Sequence, residues 1–125
     1  FDAILLDAPC SATGTARRHP EVLHRREKPD LASLTALQDA LLDRAWSWLR
    51  PGGRLVFATC SLLPEEGEAR AAAFRARTPA ARPAPPSGLP PELLSEDGDL
   101  RTRPDLWPEL GGLDGFFAAA FVKEA

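Results

Sequence analysis

Two short apolar runs, each followed by a cysteine, constrain the fold more than any other feature of the sequence. Residues 3–6 (AILL) lead into Asp7 and Cys10, and residues 55–58 (LVFA) lead into Cys60. Runs of this length between polar residues are typical of buried strands in an α/β sheet. Thiols beyond the carboxyl ends of such strands lie at the edge of the sheet where ligands bind, outside the packed core.

The segment between the two runs has the periodicity of an amphipathic helix. Asp30 can cap its start, and Pro51 with Gly52 and Gly53 ends it. We expect Trp46 to pack in the core together with the apolar stripe, which consists of Leu31, Leu34, Leu37, Leu41, Ala45, Trp48 and Leu49. Two parallel strands joined by a helix cross over right-handed, so both strand ends would lie at one edge of the sheet.

The remaining elements complete an α/β unit. Pro64 begins a second helix, and residues 79–92 form a proline-rich connection inside a single domain that spans residues 1–125. Residues 116–122 (FFAAAFV) predict a final buried strand. A short core helix is the alternative for that run, because alanine is abundant in it.

Composition excludes several classes of protein. The 125 residues are 44% hydrophobic, enough for one compact core, and the net charge is −3. This charge excludes a protein that binds nucleic acid through an overall positive charge, but a local basic patch remains possible. No apolar run approaches the roughly 20 residues that span a membrane, and two cysteines cannot build a secreted disulfide framework. We therefore expect a reduced, cytoplasmic protein without a membrane partner. The start at Phe1 and the lack of methionine indicate a piece of a longer polypeptide.

The two thiols are expected to share one cleft. If the strands are neighbours, their spacing of about 4.8 Å would place Cys10 and Cys60 within roughly 5–10 Å of each other. The residues alone leave four interpretations open: a nucleophile with a helper, a redox pair, metal ligands, or structural cysteines, with a slight advantage for the last. No metal is expected, because the other candidate ligands, His19 and His24, are scattered and no C-x-x-C spacing is present.

Three ordered motifs resemble the signatures of RNA cytosine-5 methyltransferases of the Sun/Fmu type. They are residues 6–14 (LDAPCSATG) with the following RRHP, residues 51–61 (PGGRLVFATCS) with the following acidic pair, and residues 112–117 (GLDGFF). Gly67 stands where the family often has asparagine. The resemblance spans nearly the whole chain. It implies the C-terminal half of a Rossmann-like S-adenosylmethionine-dependent methyltransferase fold, with a mainly parallel sheet and an antiparallel last strand.

The resemblance implies transfer of a methyl group to C5 of a cytosine in RNA. Cys60, in the Thr-Cys-Ser motif, would be the nucleophile that adds to C6 of the base, and Cys10, in the Pro-Cys motif, would assist product release. Asp7 matches the acidic residue at the interface of cofactor and target base, and Pro9 would shape the base pocket. The target base must be unstacked to reach such a cleft. Ribosomal RNA is favoured over transfer RNA as the substrate.

Part of such an enzyme is missing from the sequence. The family binds S-adenosylmethionine at a glycine-rich loop after its first strand, whereas Gly52 and Gly53 precede a strand. The first half of the catalytic domain would be a partner from the same polypeptide, and the chain alone is expected to be inactive. The alternatives are a non-catalytic RNA-binding relative and, with less support, a thiol redox protein.

Charged residues near the cysteines add further expectations. Arg17 and Arg18 begin a basic run that would hold RNA phosphates or, with equal weight, form a solvated loop. The other members of the run are His19, Arg25, Arg26 and Lys28. Glu65 and Glu66 would oppose formation of a thiolate at Cys60. Asp114 is expected to shape a turn.

Overall fold

The computed structural model describes residues 1–24 and 30–125 and contains one mixed sheet covered by two helices. In chain order the elements are β1 (Ala3–Asp7), α1 (Leu31–Trp48), β2 (Arg54–Thr59), α2 (Glu68–Arg77), β3 (Ala81–Pro83), β4 (Leu100–Thr102) and β5 (Phe116–Lys123). Short 3-10 turns lie at Thr13–Thr15, Pro20–Leu23, Pro64–Glu66, Pro91–Leu93 and Pro108–Leu110. Across the described ranges, no helix is long and apolar enough to cross a membrane.

The strands follow the order β1-β2-β5-β3, with β4 also pairing with β5. Strand β1 is parallel to β2, from Ala3 opposite Arg54 to Asp7 opposite Ala58. Strand β5 is antiparallel to β2, β3 and β4, so within residues 1–24 and 30–125 the β1–β2 pair alone represents the mainly parallel sheet that was expected. The predicted α/β class, the two neighbouring parallel strands and the antiparallel last strand are confirmed.

Two short strands were not predicted. Strand β3 lies inside the proline-rich stretch 79–92, and β4 follows it, so this region is more ordered than the expected irregular connection. Each strand has three residues, too few to show an alternating pattern in the sequence. Both strands form because β5, with eight residues, pairs with β2 along one edge and with β3 and β4 along the other. Pro83 is tolerated because β3 lies at the edge of the sheet.

Helix α1 begins where the sequence predicts but is rotated relative to the predicted stripe. The carboxylate of Asp30 caps it by accepting a hydrogen bond from the Ala32 amide at 3.3 Å. The line of buried side chains is Gln38, Leu42, Ala45 and Leu49. Leu37 and Trp48 are 44% and 56% exposed, so their predicted burial was wrong. Apolar periodicity missed this rotation because a polar residue, Gln38, occupies the buried face.

The core lies between the helices and one face of the sheet. Its largest fully buried side chains are Phe57, Phe74, Phe117, Phe121, Leu42 and Leu55. Trp46 packs edge-to-face on Phe74 with ring centroids 5.4 Å apart, as expected of a core residue. On the other face Leu5 is 71% exposed. Helix packing therefore buries one face of the sheet, whereas the other face is exposed at β1 and half-buried at Val56 and Ala120.

Three chain segments meet at Gly14, just beyond the carboxyl ends of β1 and β2. The Gly14 amide donates to the Cys60 carbonyl at 2.9 Å, and the Gly115 amide donates to the Gly14 carbonyl at 2.7 Å. A Cβ atom on Gly14 would lie 2.0 Å from the Gly115 oxygen and 2.7 Å from the Cys60 oxygen. Glycine is therefore required here by close backbone approach.

We predict that Gly14→Ala lowers the free energy of unfolding by about 2 kcal/mol or more, because backbone atoms must move to admit the methyl group. Ala12→Gly is the matched control in the same loop. Ala12 has a φ of 60°, a conformation that costs a residue with a side chain about 1–2 kcal/mol, so glycine there should be neutral or stabilising. Urea unfolding measures both variants. Equal stability of Gly14→Ala and wild type would contradict the close approach.

Candidate active site

The parallel β1–β2 pair brings both cysteines to one edge of the sheet. The sulfur atoms of Cys10 and Cys60 lie 3.5 Å apart, and both thiols are free and partly buried. The predicted juxtaposition is confirmed. The sulfurs are closer than the expected 5–10 Å, which was based on strand spacing, because the loops after the two strands turn the thiols toward each other. The site therefore presents two thiols to one reacting group.

The environment of Cys10 keeps its thiol protonated. Burial, with a smaller contribution from the neighbouring Cys60, raises the pKa of Cys10 from its ordinary value of 9.0 to about 12. A thiol with such a pKa is a poor nucleophile at neutral pH, since the thiolate is the reactive form. It can still hold or donate a proton. The chemistry of Cys10 therefore suits a helper role better than a nucleophilic one.

A buried carboxylate, Glu66, joins the loops that carry the two cysteines. It is 0% exposed. Its Oε2 atom accepts from the Ser11 amide at 2.9 Å and from Gln38 Nε2 at 3.0 Å. Its Oε1 atom accepts from the hydroxyls of Ser11 at 2.5 Å and Ser61 at 2.7 Å. Four donors compensate for the removal of this group from water, without which a buried carboxylate would cost several kcal/mol, on the order of 3–5.

The same network continues on the other side of each cysteine. Gln38 Nε2 also donates to the Pro9 carbonyl at 2.9 Å. The Thr59 hydroxyl donates to the backbone carbonyl of Glu66 at 3.0 Å. Residues on both sides of Cys10 and Cys60 are thus held by Glu66 or by its partner Gln38.

The burial of Glu66 was not predicted. The sequence indicated a pair of charges near Cys60, whereas Glu65 is exposed and Glu66 is buried with both carboxylate oxygens hydrogen-bonded. A signal was present: Ser11 and Ser61 each follow a cysteine, and Gln38 occupies a helix face that apolar residues would otherwise fill. Only the tertiary structure shows that these polar residues share one acceptor.

Arg101 supports the Cys60 loop from the opposite side and was also missed. It is 7% exposed, and its Nη1 atom donates to the Ser61 carbonyl at 2.6 Å. The same guanidinium pairs with Glu68 and lies over the Phe117 ring, 5.2 Å from its centroid. Arg101 was missed because it lies in β4, a strand that was not predicted.

Asp7 and Pro9 lie exposed at the mouth of the site. Asp7 ends β1, and within the described ranges its carboxylate has no hydrogen-bond partner. It fits an amino or ammonium group of a cofactor. The pair Gly52 and Gly53 precedes β2, at the end of the strands opposite the thiols. Asp7 and the glycine pair therefore lie at opposite ends of the strands.

Arg17 and Arg18 bind the segment that leads into β5. Arg17 Nε lies 2.6 Å from Asp114 Oδ1 and Arg18 Nε lies 2.8 Å from Asp114 Oδ2. Arg18, and then Arg17, hold the pKa of the Asp114 carboxyl below its ordinary value. The arginine side chains remain 38% and 55% exposed, so each also presents charge to solvent. Asp114 therefore anchors the loop; it lies outside any turn, so its expected role in shaping one was wrong.

The expectations about the basic run and about a metal site can be compared with the described residues only. The basic residues Arg25, Arg26 and Lys28 lie outside the described residues. Among the residues that are described, no group of three or more histidine, cysteine, aspartate or glutamate side chains is arranged to hold a metal ion.

Known proteins share both the sequence and the fold. A sequence model of the family described as 16S rRNA methyltransferase RsmB/F matches residues 1–122. Ribosomal RNA small subunit methyltransferase B from Erwinia tasmaniensis is 46% identical over 126 residues, covering 99% of this chain and 27% of that protein. The protein of the same name from Salmonella arizonae is 48% identical over 126 residues, with coverage of 99% and 27%. The chain thus spans about a quarter of the length of these relatives.

Solved structures give the same result. A methyltransferase homologue from Pyrococcus horikoshii superposes with a TM-score of 0.71 at 34% identity, covering 98% of this chain and 39% of that one. NSun6 from Pyrococcus horikoshii, solved with SFG, superposes with a TM-score of 0.77 at 29% identity, covering 98% and 30%. With the family's sequence model matching residues 1–122, the resemblance predicted from the three motifs is confirmed, and the chain belongs to the 16S rRNA methyltransferase RsmB/F family.

Proposed function

We propose that this chain is the C-terminal part of the catalytic domain of an S-adenosylmethionine-dependent RNA (cytosine-5) methyltransferase that acts on ribosomal RNA in the cytoplasm. The observation that carries the proposal is the pair of thiols, 3.5 Å apart at the carboxyl ends of adjacent parallel strands. The relatives named ribosomal RNA small subunit methyltransferase B support ribosomal RNA over transfer RNA. The solved relative with SFG, an analogue of S-adenosylmethionine, supports the cofactor.

The geometry supports covalent catalysis by Cys60. C5 of cytosine is a poor nucleophile, and addition of the Cys60 thiolate at C6 makes the ring electron-rich at C5. When bound, S-adenosylmethionine supplies the methyl group that C5 takes. A base then removes the C5 proton, the C5–C6 double bond re-forms and the Cys60 thiolate leaves. Two steps of moderate difficulty thereby replace one difficult step.

Cys10 would assist the release step. Its thiol touches the Cys60 sulfur, and burial keeps it protonated. A protonated thiol at this position can donate a hydrogen bond to the sulfur that leaves C6, which stabilises the departing thiolate. Cys10 therefore acts on the leaving group, whereas Cys60 forms the bond.

The exposed groups at the mouth have binding roles in this proposal. Asp7 faces the cofactor and the target base, and Pro9 shapes the base pocket. Arg17 and Arg18 keep part of their charge exposed and contact RNA phosphates while they anchor the loop through Asp114.

The missing first half of the catalytic domain would be the partner of the uncovered sheet face and of the free edge of β1. The side chains there are unusually exposed for apolar residues, with Phe1 76% and Leu5 71% exposed. A long apolar strand edge tends to pair with another chain segment. The upstream segment would supply that pairing together with the glycine-rich cofactor loop.

A thiol redox protein is the second candidate, because a sulfur–sulfur distance of 3.5 Å also suits a disulfide. The raised pKa of Cys10 argues against rapid exchange at neutral pH. Methyl transfer therefore remains the first choice.

The first prediction of this proposal concerns a covalent RNA adduct. The full-length polypeptide, given S-adenosylmethionine and RNA that contains 5-fluorocytosine, should form a protein–RNA adduct that resists denaturation, because fluorine at C5 cannot leave as a proton. Cys60→Ala should abolish the adduct and Cys10→Ala should keep it. Gel electrophoresis after denaturation measures the result. No adduct from a folded wild-type protein that binds RNA would support the non-catalytic relative instead.

The second prediction concerns alkaline stability. The pKa of Cys10 is raised in the folded state, so the folded protein holds this proton more tightly than the unfolded chain does. Its stabilising effect is complete below the ordinary value of 9.0 and is lost as pH rises toward about 12. Cys10→Ser should therefore lose less stability than wild type between these pH values, as measured by urea unfolding. Cys60→Ser should keep most of the wild-type loss of stability, because burial is the largest cause of the raised pKa of Cys10 and Cys60 a smaller one.

The third prediction concerns the chain by itself. Residues 1–125 should transfer no methyl group and should not bind S-adenosylmethionine tightly, because among the described residues this proposal assigns Asp7 alone to the cofactor. Isothermal titration calorimetry with the chain and with the full-length polypeptide measures the difference. Micromolar binding by the chain alone would contradict this assignment of the cofactor site.

A further inference from the structure

We infer that Glu66 is a positioning residue for both cysteines, an inference that rests on the proposed function for its catalytic meaning. Glu66 contacts neither sulfur in the described structure. Its carboxylate acts on Ser11, which follows Cys10, and on Ser61, which follows Cys60. It also binds Gln38, whose amide nitrogen holds the Pro9 carbonyl. Removing this carboxylate would release both cysteine loops at once.

The groups around the Glu66 carboxylate indicate that this position requires a hydrogen-bond acceptor. All four side-chain contacts of Glu66 are donors, from one amide, one glutamine nitrogen and two hydroxyls. An ionised carboxylate only accepts hydrogen bonds, so its two oxygens match this set. If the role were merely to fill space, an apolar side chain of similar size would serve without the cost of desolvation.

The network joins elements that are far apart in sequence. Ser11 is 55 residues from Glu66 and Gln38 is 28 residues from it. Strand pairing fixes Asp7 beside Ala58 but leaves the following loops free to diverge. Glu66 links those loops just after the strands end. The 3.5 Å sulfur–sulfur distance is therefore set by strand pairing and Glu66 together.

Two substitutions of Glu66 test separately the size of its side chain and its capacity to accept hydrogen bonds. Glu66→Gln keeps the size, and its amide nitrogen can face the hydroxyls of Ser11 and Ser61, which can rotate to accept. This variant is expected to fold and to retain part of the function. Glu66→Ala leaves the four donors without their acceptor and should release both loops. Glu65→Ala is the matched control, since Glu65 is exposed in the same turn.

The equilibrium between the two thiols and their disulfide tests the positioning of Cys10 and Cys60 without RNA. In the full-length polypeptide, with cysteines outside this chain replaced by serine, the Cys10–Cys60 disulfide is equilibrated with oxidised and reduced glutathione. One oxidised glutathione forms the disulfide and yields two reduced glutathiones, so the equilibrium gives the effective concentration of the thiol pair. Glu66→Ala should lower that concentration at least about 10-fold, Glu66→Gln less, and Glu65→Ala not at all.

A second control separates positioning from stability. Phe74→Leu alters the buried core away from the thiols and should lower the melting temperature without changing the effective concentration in the folded protein. The single-turnover rate of adduct formation with 5-fluorocytosine RNA, per folded molecule, should fall about 100-fold in Glu66→Ala, as expected when reacting groups are misplaced by about 1 Å.

The outcomes distinguish this inference from the proposed function. Variants of Glu66 that change only the melting temperature, with unchanged thiol-pair and adduct measurements, would overturn the positioning role. If Glu66→Ala does not fold, Glu66→Gln decides: wild-type values in both measurements would overturn the inference. A lowered effective concentration with no adduct in wild type would support the positioning role and overturn the proposed methyl transfer.

Discussion

The parallel pairing of β1 with β2 is the constraint on which the rest of the site depends. The pairing runs from Ala3 opposite Arg54 to Asp7 opposite Ala58, and the Ala8 amide extends it by donating to the Ala58 carbonyl at 2.9 Å. Parallel strands end at the same edge, so the chain leaves both at neighbouring points. The aromatic core beneath them, with Phe57 and Phe117 fully buried, keeps this edge fixed.

Beyond the ends of β1 and β2, hydrogen bonds and not apolar packing hold the loops in place. The Gly14 backbone binds both the Cys60 and the Gly115 backbones, Arg101 holds the Ser61 carbonyl, and Glu66 collects donors from both cysteine loops. A buried carboxylate is costly unless donors satisfy it, so the four donors to Glu66 favour one arrangement of these loops. Rigid loops are what a site with two adjacent thiols requires.

The thiol of Cys10 touches that of Cys60 and is strongly affected by burial. Burial keeps Cys10 protonated at neutral pH. A pair in which one member holds its proton suits a division of labour between bond formation and release. The effect of burial on Cys10 is invisible in the sequence, where both cysteines follow similar apolar runs.

The sequence by itself determined the two parallel strands, the helix between them, the last strand and the meeting of Cys10 with Cys60. These features follow from local apolar patterns and from the fixed handedness of strand–helix–strand connections. Its motifs also led to the correct family. The tertiary structure alone decided the rotation of α1, the short strands β3 and β4, the pairing of Arg17 and Arg18 with Asp114, and the burial of Glu66. The physical reason is that these features depend on partners distant in the chain, whose contact no local pattern records.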